Sequence, residues 1–191
     1  MGLHFDVNSE SETVTITPST IRQPVHAGCW VIMGVSGCGK STAGRQLAQT
    51  LNLEFIEGDD AHSEANVAKM AAGQPLNDAD RQDWLMSLAA SIGAAREQGR
   101  GLVLSCSALK RRYRDILCSG NPDIVFVHLH GEKNLIARRL KARSNHFMPA
   151  ALLDSQFTDL ETLQADERGI TLSVDQSPDA LLEILRSTTF R

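Results

Sequence analysis

No apolar run in this chain approaches the roughly 20 consecutive residues that a helix needs to cross a bilayer, so a membrane protein is not expected. Positive charge is not in excess: 19 Lys and Arg face 23 Asp and Glu, a net charge of -4. That balance argues against a general nucleic-acid binder. The four cysteines, at 29, 38, 106 and 118, show no C-x-x-C and no metal spacing. They read as small core residues of a protein in a reducing, cytoplasmic setting. The apolar stretch Leu102–Cys106 ends without the Asp of a Walker-B strand, and no N-K-x-D signature occurs anywhere. Motor ATPases and most signalling GTPases are therefore disfavoured. Residues 1–28 lack an apolar signal core, and Asp6, Glu10 and Glu12 are wrong for an organelle transit peptide. Ser, Thr, Pro18 and Pro24 make this stretch a flexible extension, with one short alternating segment at 13–17.

What is present begins with Gly34-Val35-Ser36-Gly37-Cys38-Gly39-Lys40-Ser41, which fits G-x-x-x-x-G-K-[ST]. The apolar run Cys29–Met33 before it suits a strand buried on both faces of a parallel sheet. After it, Ala43, Leu47, Ala48 and Leu51 recur at helical spacing. Strand, glycine-rich loop and helix are the setting in which main-chain amides and the positive helix end hold phosphate. Gly34 to Thr42 is thus the nucleotide site. Lys40 is expected to reach the β- and γ-phosphates, and the Ser41 hydroxyl to ligate Mg²⁺.

At 191 residues the chain is one domain, 29–191, after its extension. Short apolar strands alternate with helical stretches to the end: Leu53–Ile56, Leu102–Cys106, Ile124–Leu129 and Ile170–Val174 follow the first strand. Such alternation means an α/β fold, a five-stranded parallel sheet with helices on both faces. The second strand delivers Glu57 and Asp59 to its carboxyl end, where ligands gather in open α/β sheets. Asp59 is the candidate base for an attacking hydroxyl. Glu57, placed on the same strand face, is a candidate for a Mg²⁺-bound water. Lys110, Arg111, Arg112 and Arg114, with Lys133, Arg138, Arg139, Lys141 and Arg143, hold nine of the 19 cations. An acidic protein that concentrates cations this way handles a small anion. Residues 132–163 have the form of a helical lid, with Arg139 and Arg143 four apart on one helix face to neutralise charge developing on the phosphates. Trp84 and His128 read as core.

The chain resembles the gluconokinase family, sugar-acid kinases related to shikimate and nucleoside monophosphate kinases. The resemblance rests on the phosphate loop, Gly58-Asp59-Asp60-Ala61-His62, Asn66 with Lys69-Met70, Pro75-Leu76-Asn77-Asp78-Ala79-Asp80-Arg81, Trp84-Leu85, Cys106-Ser107-Ala108-Leu109-Lys110 with Tyr113-Arg114-Asp115, Arg139–Arg143 with His146-Phe147, and Gln156-Phe157 with Leu160-Glu161. It covers the chain from about residue 30 onward. Glu57 departs from the Asp of many members, and Cys38 from a frequent Ser. The resemblance implies a three-layer P-loop kinase fold and ATP-dependent phosphorylation of D-gluconate at its 6-hydroxyl. It leaves a homodimer open. The acceptor's carboxylate needs a cation, for which Arg81, Lys110 and Arg114 are alternatives, and His62 is a candidate donor to an acceptor hydroxyl. Two rival readings are a kinase of the same fold acting on another small anion, such as shikimate, and a nucleotide-binding protein without transfer.

Overall fold

The computed structural model describes residues 28–142 and 150–189. The alternating segment at 13–17, with most of the expected N-terminal extension, and Arg143, His146 and Phe147 lie outside these residues. Five parallel strands form one sheet: β1 (Cys29–Met33), β2 (Glu54–Glu57), β3 (Leu102–Ser105), β4 (Val125–His130) and β5 (Gly169–Ser173), in the order β2-β3-β1-β4-β5. Seven helices connect or cover them: α1 (Lys40–Leu51), α2 (Glu64–Ala71), α3 (Asp78–Glu97), α4 (Arg111–Cys118), α5 (Lys133–Lys141), α6 (Ala150–Asp159) and α7 (Pro178–Thr189).

β1 sits at the centre, and every one of its residues is buried. Successive side chains of a strand point to opposite faces, so its five apolar residues feed two cores. Trp30 and Ile32 pack with α1, α5, α6 and α7, through residues such as Leu47, Ile136, Leu153 and Leu185. Cys29, Val31 and Met33 pack with α3 and α4, through Leu85, Leu88, Ile92 and Leu117. The expected three layers result. Cys29, Cys38 and Cys106 are buried free thiols within them.

Local signals set the helix starts. Ser63 caps α2 by accepting the Asn66 amide. Asn77 and Asp80 form a reciprocal capping box at the start of α3, satisfying two amides that the helix leaves open. At the end of β2 the chain turns at once into a short 3-10 helix, Gly58–Ala61. A Cβ at Gly58 would run into the Ser105 carbonyl oxygen of β3, so glycine lets the turn lie flat against the sheet edge. Glu57 therefore ends the strand and Asp59 belongs to the turn. The shared strand face expected for the two stops short of Asp59.

Candidate active site

The phosphate loop joins β1 to α1. Gly37 has φ 83° and packs so tightly under α5 that a Cβ would lie 2.6 Å from Leu140 Cγ. Glycine is required there for both reasons. The loop is tied to the segment after β3 by the Gly34 amide, which donates to the Ser107 carbonyl at 3.2 Å. α1 starts at Lys40 with Gly39 before it, no side-chain cap and no acidic residue in its first turn. Its open amides and positive dipole end stay available to an anion. Lys40 Nζ donates to the Val35 carbonyl at 3.2 Å and so arches over the loop. Cys38 is buried within the loop. Burial pushes its thiol up, against the opposing pull of Lys40, so it stays a neutral packing residue rather than a reactive thiolate.

Lys40 and Ser36 line one wall of a cavity of about 310 Å³. Asp59, His62 and Arg81 line the same cavity, with Ser107, Ser155 and Gln156 as further polar groups. Val67, Met70 and Ala71 from α2, with Pro75, Leu76 and Leu152, supply apolar walls. The volume lies in the range of small-molecule sites, roughly 300–1,000 Å³. Residues far apart in sequence thus converge at the carboxyl ends of β1, β2 and β3.

Arg81 is 7% exposed. Its Nε donates to the Leu76 carbonyl at 3.4 Å and its guanidinium lies 5.6 Å from the centre of the Tyr113 ring. Among the described residues no carboxylate forms an ion pair with it. His62 stacks on Trp84, with ring centres 4.1 Å apart and planes 18° from parallel. Burial lowers the His62 pKa, Arg81 lowers it further and Asp59 opposes them, so the imidazole is neutral at pH 7 and can donate or accept.

The other two cations proposed for a carboxylate are placed differently. Lys110 precedes α4 and pairs with Asp159 at 3.0 Å and Asp78 at 3.2 Å. Arg114 is buried in an ion pair with Glu167, Nε to Oε1 2.5 Å, and also donates to the carbonyls of Ala108, Leu109, Glu161 and Thr162. Both are consumed by intramolecular partners, and neither lines the cavity. Their charge is already matched within the fold and that of Arg81 is not, which favours Arg81 among the three alternatives. Glu57 accepts from the Ser105 hydroxyl and lies 3.9 Å from Arg45.

Arg139 lies on the other side of the loop. It lines a second cavity, about 340 Å³, with Gly37, Cys38, Gly39, Thr42 and Gln176, and donates to the Val174 carbonyl at 2.6 Å. Ile136 and Leu140 on the same helix are buried, so α5 is anchored over the phosphate loop. Two contributors escaped sequence reasoning as site residues. Gln156 of α6 accepts the Ser36 amide at 2.6 Å, and Ser107 joins the cavity wall while its carbonyl holds the loop. Both stand in the motif segments quoted for the resemblance, which was the one available signal.

Residues 36–183 match the family model described as Shikimate kinase. The gluconokinase of Gluconobacter oxydans (strain 621H) is 47% identical over 155 residues, covering 81% of this chain and 87% of that protein. Among solved structures, a sugar kinase from Janibacter sp. HTCC2649 superposes with TM-score 0.81 at 45% identity, covering 84% of this chain and 93% of that one. A gluconokinase from Sinorhizobium meliloti 1021 gives TM-score 0.74 at 41% identity, covering 83% and 89%. With the phosphate loop, the cavity beside it and the three-layer sheet all in place, and relatives this similar over most of the chain, the protein belongs to the gluconokinase family.

Proposed function

We propose that the protein transfers the γ-phosphoryl group of ATP to the 6-hydroxyl of D-gluconate, giving 6-phospho-D-gluconate and ADP. The observation that carries this reading is the shared cavity: the phosphate-loop cation Lys40 stands on the same wall system as Asp59, His62 and Arg81. A phosphoryl donor held by the loop and an anionic polyol held by Arg81 would meet there.

In this scheme Asp59 accepts the hydroxyl proton as the acceptor oxygen bonds to γ-phosphorus and the bond to the β-phosphate oxygen breaks. Arg81 takes the carboxylate through a two-pronged, charge-assisted contact. Neutral His62 hydrogen-bonds an acceptor hydroxyl. Loop amides and Lys40 hold the phosphates, and Arg139, on the far side of the loop, adds charge to the nucleotide; the same role is proposed for Arg143. The donor set fits Mg²⁺: a hydroxyl, Ser41, beside the cradle, and the Glu57 carboxylate at the end of β2, suited to hold a metal-bound water. When bound, the ion would neutralise phosphate charge. No helix among the described residues is long and apolar enough to cross a membrane; the free cysteines support the cytoplasmic setting proposed for the enzyme.

The test is an acceptor screen with ATP and Mg²⁺, measuring ADP release with D-gluconate, shikimate and nucleoside monophosphates in parallel. Turnover with gluconate far above the other acceptors is expected. Gluconate at the level of the no-acceptor control, with a competing acceptor active, would overturn the assignment.

A further inference from the structure

Trp84 lies on the buried face of α3 with Leu85, Leu88, Ile92 and Ala95. Core packing accounts for its burial, but not for its two polar contacts. The indole N–H donates to the Gly58 carbonyl at 2.7 Å, immediately before Asp59. The ring lies flat against His62 at 4.1 Å. The Gly58 turn is thereby held from two sides, by the Ser105 carbonyl of β3 against its Cα and by the indole of α3 on its carbonyl. His62 depends on the same ring: its Nδ1 is buried and has no hydrogen-bond partner among the described residues, so stacking rather than hydrogen bonding sets the plane of the imidazole.

We propose that Trp84 is the positioning residue of the acceptor site, fixing at once the turn that carries Asp59 and the ring plane of His62. The proposal rests on the reading of the cavity as the acceptor site. Trp84 does not line the cavity; it acts through the two residues that do. Because one rigid side chain holds both, the geometry of proton acceptance and that of hydroxyl recognition are set together. The groups facing the stacked imidazole are Asp59 on the turn and Arg81 on α3; their charges oppose one another, and burial lowers its pKa and keeps it neutral near pH 7.

The test separates positioning from folding. Trp84→Phe keeps an aromatic face for His62 and loses the N–H; Trp84→Leu loses both. Trp84→Phe should lower kcat roughly three- to tenfold, the worth of one neutral hydrogen bond, with KM for ATP unchanged. Trp84→Leu should also raise KM for gluconate. Loss of kcat in proportion to the unfolded fraction, with both KM values moving together, would overturn the proposal. A second readout leaves Trp84 in place. The chain has two tryptophans, so in Trp30→Phe all emission comes from Trp84. Its fluorescence should fall as His62 protonates, with a midpoint below the ordinary histidine range, and His62→Gln should abolish the effect. Emission that ignores pH, or is the same with and without His62, would overturn the stack as a device. If the stack is seen but wild type fails to phosphorylate gluconate, the acceptor assignment falls instead, and with it the role given to Trp84.

Discussion

The segment Pro75–Arg81 delivers one unmatched charge to the cavity and uses the rest to build the wall that holds it. Asn77 and Asp80 close the capping box, Asp80 also takes Lys69 of α2 at 2.5 Å, and Asp78 gathers Lys110, Arg112 and the Tyr113 hydroxyl. The Lys69 contact holds the Asp80 carboxyl below the usual range. Arg81 keeps most of its donors free and has given up much of its hydration, so a carboxylate arriving beside it meets little competition from water. Losing a charge-assisted hydrogen bond costs about 1.5–3 kcal/mol. Arg81→Leu should therefore raise KM for gluconate by roughly ten- to a hundredfold, with KM for ATP unchanged; initial rates over both substrates check this. Arg81→Lys, which keeps the charge and loses the planar fork, should fall between. Sequence alone could not choose among Arg81, Lys110 and Arg114, because all three are cations inside motif segments. What separates them is the company each keeps across the fold: Glu167 for Arg114, Asp78 and Asp159 for Lys110, and for Arg81, among the described residues, a carbonyl and the face of Tyr113.

Between elements, the polar links run from the outer helices inward to the loop. Gln156 joins α6 to the Ser36 amide, Lys110 joins the start of α4 to the end of α6, and the Glu161 amide donates to the Leu109 carbonyl at 2.8 Å. This explains where α6 stops. Apolar spacing suggests a helix to Leu163, yet it ends at Asp159, because the next residues leave helical geometry to bond to the chain before α4, and Leu160 and Leu163 pack into the core from there. Periodicity cannot distinguish an apolar residue on a helix from one on a segment crossing the same core. Arg114 and Glu167 anchor that crossing as a buried pair. Arg114→Leu should leave the buried Glu167 carboxylate with the Gln164 amide at 2.8 Å and Arg111 at 4.0 Å, and cost about 3–5 kcal/mol of stability. Arg114→Leu with Glu167→Leu should recover much of that loss. Urea unfolding of the three proteins measures both.

For the whole molecule, alternation of buried strands and helices made the parallel sheet and its two covered faces legible before any coordinate. The motif placed the phosphate loop. The strand order β2-β3-β1-β4-β5, which brings Asp59 and Lys40 to one cavity, was not legible, because it depends on which edges pair. His128 of β4 was legible as core, and it carries a pH dependence for the entire fold. It is buried, its Nδ1 sits 3.4 Å from the Thr171 hydroxyl, and burial, with help from His130 and Arg114, pushes its pKa down to about 4 from an ordinary 6.5. The unfolded chain takes up this proton as pH falls through 6.5, while the folded chain resists until about 4, so stability is full above 6.5 and lost progressively between the two values. This one group should remove about 2 kcal/mol between pH 7 and pH 5, and the urea-measured loss over that interval should shrink by about that much in His128→Leu. The central claim, a kinase whose base is the carboxylate opposite Lys40, is tested most directly by Asp59→Asn, measuring gluconate-dependent ADP release together with ATP affinity. The account predicts turnover lower by at least about a hundredfold, the typical worth of a positioned general base, with ATP affinity essentially unchanged. Turnover within a few-fold of wild type would contradict it.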